Sequence, residues 1–89
     1  MLSAFPNPVT AGGSSVRIVM PAVGPARVAI WDVGGRLVRD LYDGTLPPGA
    51  HDFAWDRRDE RGRTVPAGIY WLRLRAGEQH GSERLVVLR

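Results

Sequence analysis

The chain has no cysteine and no lysine. Without cysteine there is no disulfide, no thiolate nucleophile and no cysteine-ligated zinc. Without lysine there is no phosphate-binding loop of the G-x-x-x-x-G-K type. All twelve basic residues are therefore arginine, as a GC-rich coding sequence would give. Arginine titrates so high that the pI reaches 10.6 although the net charge is only +3. Long apolar runs are missing too. No stretch approaches the ~20 residues of a membrane-spanning helix, and residues 1–20 lack the basic start and apolar block of a signal peptide. No membrane insertion is expected, and the chain is expected to be either cytoplasmic or a piece of a longer precursor whose export signal lies elsewhere. Histidine is scarce. His51 and His80 are isolated, with no third ligand in view, whereas zinc needs at least three. The serines at 3, 14, 15 and 82 fall in loop-like segments with no base placed beside them. These absences predict a chain that is not an enzyme and that carries no catalytic residue, metal or cofactor.

What is present is alternation. Val16, Ile18 and Met20 share one face of VRIVM; Val28 and Ile30 oppose Trp31 and Val33 in ARVAIWDV. Phe53 and Trp55 alternate with Asp52 and Ala54, and Tyr70, Leu72 and Leu74 oppose Ile69, Trp71, Arg73 and Arg75. LVRDLY at 37–42 and RLVVLR at 84–89 complete the runs. A period of two, broken by glycine or proline about every ten residues, predicts an all-β protein: an immunoglobulin-like antiparallel β-sandwich of about seven strands. Residues 1–89 are long enough for one such domain. With no disulfide, the core is expected to rest on Phe53, Trp55, Tyr70 and one of Trp31 or Trp71.

The punctuation agrees. Gly34-Gly35 is expected to form a primed two-residue turn, since both glycines accept positive φ. LPPGAH at 46–51 bends the chain, DERGR at 59–63 holds a turn glycine, and AGEQHGS at 76–82 is expected to be a loop before the last strand. FPNPV at 5–9 is extended but poor at ladder pairing, because neither Pro6 nor Pro8 has an N–H. It reads as an edge-like entry segment of a domain attached to something larger. The densest arginine group, Arg57, Arg58, Arg61 and Arg63, is interleaved with Asp56, Asp59 and Glu60. That pattern predicts a mixed-charge loop, not a nucleic-acid patch. The same carboxylates are a weak calcium candidate; an Asx-type turn, satisfied by backbone N–H groups and arginines, is favoured.

The order of these pieces resembles the FlgD-like immunoglobulin-like domain and the similar C-terminal sorting domain of the type IX secretion system. The resemblance runs from Phe5 to Arg89. Pro6, Asn7 and Pro8 match the opening proline motif; Asp32, Gly35 and Arg36 match the central turn; Gly68 and Tyr70 match the late glycine-aromatic motif. Arg84 to Arg89 matches the basic-apolar terminal strand. The family often has lysine where Arg84 stands, which keeps the charge and changes its geometry. The resemblance implies a C-terminal domain of a larger exported bacterial protein, one that directs an N-terminal passenger through the outer membrane. The implied partner is the outer-membrane secretion machinery, or another protein, met at a strand edge or surface, with no nucleic acid involved. The implied location is the periplasm in transit, then the cell surface or medium. A second expectation is a structural module of the FlgD type for assembly or adhesion. A third, a carbohydrate-binding module, requires two tryptophans exposed in a row.

Overall fold

Alternating apolar residues become strands wherever a second sheet can cover one of their faces, and here two sheets cover each other. The computed structural model describes residues 2–10 and 12–88, and within the first strand it describes the side chain of Val9 alone. Arg89 and the side chains of Pro6, Asn7 and Pro8 lie outside the described residues. Seven strands follow in order: β1 (Leu2–Thr10), β2 (Gly13–Met20), β3 (Gly24–Asp32), β4 (Leu37–Leu46), β5 (Gly49–Trp55), β6 (Gly68–Ala76) and β7 (Gln79–Val87).

The hydrogen-bonded order is β4-β3-β6-β7-β1-β2-β5. It folds into a sandwich because β1 belongs to both layers. Leu2 to Phe5 pair antiparallel with β2, and Val9 then lies parallel to Val87 of β7, where the Leu88 amide donates to the Val9 carbonyl at 3.0 Å. The register shift on β1 falls between Phe5 and Thr10 and contains Pro6 and Pro8. The prolines therefore occupy the crossing between sheets, where a missing N–H costs no ladder bond. The segment edges each sheet in turn and seams the two together, which is more than an edge-like entry.

The core is more aliphatic than expected. Val9, Val16, Ile18, Val28, Ile30, Leu72, Leu85 and Val87 are almost completely buried between the layers, and Trp55 is the one tryptophan among them. Each such side chain contributes roughly 1.5–3 kcal/mol on burial, and β-branched residues fit a pleated surface with little loss of rotamer freedom. Tyr70 is buried and Phe53 packs at the margin. Trp31 and Trp71 are both absent from the core. They are half-buried cross-strand neighbours on the outward face of β3 and β6.

Two turns differ from expectation. Only Gly35 of the glycine pair has positive φ, at 85°. The Gly35 amide donates to the Asp32 carbonyl (3.1 Å) and the Asp32 amide to the Arg36 carbonyl (3.0 Å), a three-residue hairpin closed by a left-handed glycine. The segment expected as a loop at 76–82 is mostly strand: β6 runs to Ala76, β7 starts at Gln79, and Gly77 (φ 60°) leads a two-residue turn. Polar composition concealed the hairpin because one face of these strands meets water.

Candidate functional site at one end of the sandwich

The β3–β4 turn, the long β5–β6 connection and the start of β6 meet at one end of the sandwich. They enclose a cleft of about 490 Å³ lined by Asp32, Arg36, Asp59, Glu60, Arg63 and Tyr70, among others. Three of the residues singled out in the sequence, Asp32, Arg36 and Tyr70, are thus brought together; Asp32 and Tyr70 are cross-strand partners. Gly35 tops the adjacent turn, and Gly68 starts β6 opposite Val87.

Asp32 and Tyr70 each have a local structural task. Asp32 holds its turn through Oδ1, which accepts from the Arg36 amide at 2.9 Å, and its Oδ2 lies 3.6 Å from the Arg36 guanidinium. The Tyr70 hydroxyl donates to the Pro66 carbonyl at 2.7 Å, and its ring meets Trp55 edge-on with centroids 5.9 Å apart. A tyrosine near the start of this strand that bonds back to upstream backbone is the corner found in many immunoglobulin-like sandwiches. Burial raises the Tyr70 pKa, the Asp32 charge adds to the rise, and Arg57 opposes it. Trp55 in turn donates from Nε1 to the Arg58 carbonyl at 3.0 Å, fixing the loop to the core.

The mixed-charge loop spends its carboxylates on backbone, as its composition suggested. Asp59 Oδ1 accepts from the amides of Arg61 (2.9 Å) and Arg63 (3.0 Å); Asp56 Oδ1 accepts from the Arg58 amide (3.1 Å). The bond from Arg63, joined by that from Arg61, lowers the Asp59 pKa against partial desolvation. Glu60 does something the sequence did not disclose. Its amide donates to the Val38 carbonyl at 2.9 Å, while its Oε1 accepts from the Asp40 amide at 2.8 Å. The loop thereby covers the outer edge of β4, which would otherwise offer an open ladder. Arg57 is likewise unforeseen: it is buried, has a left-handed φ of 63°, and its Nε has no hydrogen-bond partner among the described residues. No residue pattern marks such a position before the tertiary structure is known.

Arg84 lies elsewhere, exposed on the outward face of β7 opposite Trp71. On that face Arg27 and Arg73 both stack on Trp31, at 5.8 and 5.7 Å from the ring centroid. Arg27 also binds Asp40 in a bidentate pair at 2.8 and 3.1 Å. That hydrogen bond raises the Arg27 pKa, with desolvation opposing it.

A two-layer antiparallel sandwich seamed by its first strand, with a tyrosine corner, defines an immunoglobulin-like domain. Residues 7–80 match the FlgD Ig-like domain family, and the chain belongs to that family. It is 42% identical over 57 residues to the basal-body rod modification protein FlgD of Salmonella typhimurium and equally to that of Salmonella typhi. That stretch is 64% of this chain but 24% of either FlgD. Among solved structures, the chain resembles PorZ of Porphyromonas gingivalis, an essential bacterial surface component of its type IX secretion system (TM-score 0.70, 22% identity). It also resembles dimeric latent PorU of the same organism (TM-score 0.79, 22% identity). These matches cover 99% and 98% of this chain, and 11% and 9% of the two larger ones.

Proposed function

We propose that this chain is a non-catalytic sorting and anchoring module that directs a larger exported protein across the outer membrane by type IX secretion. The observation that carries this reading is the whole-domain likeness to a small part of PorZ, a surface component of that secretion system. A module of this kind needs no reaction centre. Its polar clusters serve to hold turns, as those around Asp32 and Asp59 do. The secretion partner would meet an outer surface or an open strand edge. With β4 covered at Val38 and Asp40 by Glu60, the outer side of β5 is the edge available in the three-stranded layer.

The test is export of a fluorescent reporter ending in residues 2–89, in a host with a type IX translocon and in its translocon-null mutant. A native sorting tail serves as the positive control. Surface or medium fluorescence that requires the translocon is the expected result. A reporter that stays folded in the periplasm while the control is exported overturns it.

A second reading has its own support. The 42% identity to FlgD favours a structural module for assembly on an envelope appendage. Retention in the reporter assay, joined to binding of an appendage subunit, would select it. A carbohydrate-binding role required a row of exposed tryptophans. Trp55 is buried, and Trp31 and Trp71 are half-buried neighbours with two guanidiniums over Trp31, which gives that reading less support.

A further inference from the structure

The outward face of β3, β6 and β7 is unusual in its charge. Antiparallel partners share a face, so register assigns its rows directly. Arg27, Arg75 and His80 form one row; Ala29, Arg73 and Ser82 form the next; Trp31, Trp71 and Arg84 form the third. None of these positions is a carboxylate. Arg27 and Arg75 face each other directly, a like-charge pairing that is unfavourable by itself and that Asp40 and Asp43 of β4 offset at Arg27. The outer face of the other layer is different: there Arg17 is matched by Asp52 across the strands at 2.8 Å.

Trp31 divides this face into a satisfied half and an open half. Arg27 and Arg73 both stack on its ring, which holds each guanidinium in place. Arg27 has a carboxylate, Asp40, clamped in two-point geometry. Arg73 has no carboxylate partner among the described residues, nor has Arg75 two positions along the same strand. Between them the surface is a shallow trough of about 300 Å³ whose floor includes Ala29, buried yet outside the core. Beyond the trough the face turns apolar, with exposed Ile69 and Leu37 flanking the two tryptophans.

From this we infer that the outward face of β3, β6 and β7 docks an acidic protein segment, whose carboxylate occupies on Arg73 the place Asp40 occupies on Arg27. The docked segment pairs acidic with aliphatic side chains, because the cationic rows adjoin Ile69 and Leu37. A planar guanidinium already stacked on an indole loses little freedom when it forms a bidentate carboxylate pair. Nucleic acid fits less well, since bases would need the Trp31 ring that the arginines cover. The inference does not depend on whether the module sorts or assembles.

The experiment is an NMR titration of the isotope-labelled chain with a capped peptide of about eight residues alternating glutamate and leucine, in about 50 mM salt. Shift changes confined to β3, β6 and β7 are expected, with affinity lowered at least about ten-fold in the glutamine counterpart of the peptide. The Arg73→Gln/Arg75→Gln variant should lose binding to a similar extent, and Arg73→Lys should lie between it and the parent. The lysine variant keeps the charge, so it reports even if the double variant folds poorly. Equal binding of both peptides, no binding, shifts centred elsewhere, or tighter binding of single-stranded oligothymidylate would each overturn the proposal.

Discussion

Two polar regions of this molecule are built on opposite principles. The cleft at the end of the sandwich contains Asp32, Asp59 and Glu60 with Arg36, Arg61 and Arg63, three charges of each sign. Its carboxylates are consumed by turn amides and by the covered β4 edge. The outward face of β3, β6 and β7 concentrates arginine and leaves Arg73 and Arg75 without a carboxylate partner among the described residues. Polar groups that close on themselves specify a fold; polar groups left open on a rigid sheet are material for recognition. Of the recognisable motif residues, Asp32, Arg36 and Tyr70 line the first region, whereas the open chemistry, at Arg73 and Arg75, lies in the second.

The sharpest way to break this comparison is to make the same substitution in both regions. Trp55→Ala removes a buried indole, its bond to the Arg58 carbonyl and its contact with Tyr70. It should cost about 3–5 kcal/mol in urea unfolding, a large share of the stability of a domain of this size. Trp31→Ala should cost only about 1 kcal/mol, because its main partners are two surface guanidiniums. Similar losses at the two sites would mean that the outer face is structural after all.

Smaller changes sharpen the contrast. Gly35→Val forces a branched side chain into a left-handed backbone and should cost about 1–3 kcal/mol; thermal unfolding measures it. Tyr70→Phe should cost about 1 kcal/mol through the lost bond to Pro66. Because the folded pKa of Tyr70 is raised, the unfolded chain ionises first. The parent should therefore lose stability above its ordinary value of 10.0, and the phenylalanine variant should lose less there.

Acid acts on the other side of the same cleft. The Asp59 pKa is lowered in the fold, so the unfolded chain binds that proton first as the pH falls. The stability Asp59 supplies is present above its ordinary pKa of 3.8 and is lost as the pH drops through the lowered folded value. In Asp59→Asn, a plot of urea midpoint against pH should be flatter in that range. The smallest effect belongs to the open face: Arg75→Gln should leave stability within about 0.5 kcal/mol.

Much of the fold was legible because its strands alternate so regularly. Val16, Ile18, Met20, Tyr70, Leu72 and Leu74 all point inward as the period of two dictates. Register between distant strands was not legible, and from it came the errors. Trp31 and Trp71 looked like competitors for one core position until pairing set them side by side on the outer face. The end cleft was half legible: Asp32, Gly35 and Arg36 announce a turn by residue type, but Glu60 covering β4 depends on a contact twenty residues away. Arg57 was hidden for a similar reason, since a buried arginine with left-handed backbone is fixed by its surroundings and not by its neighbours in sequence.

The way β1 changes sheets also sets how the domain would bear a load. Val9 and Val87 lie on parallel strands, so tension drawing Leu2 away from Leu88 would act along those strands and shear the link between them. The antiparallel pairing of β6 with β7 extends along nearly their whole length, while the described parallel link is confined to Val9, Val87 and Leu88. Under force the seam should part first and the β3–β6–β7 layer should remain paired, a sequence of events that single-molecule extension would resolve as two steps.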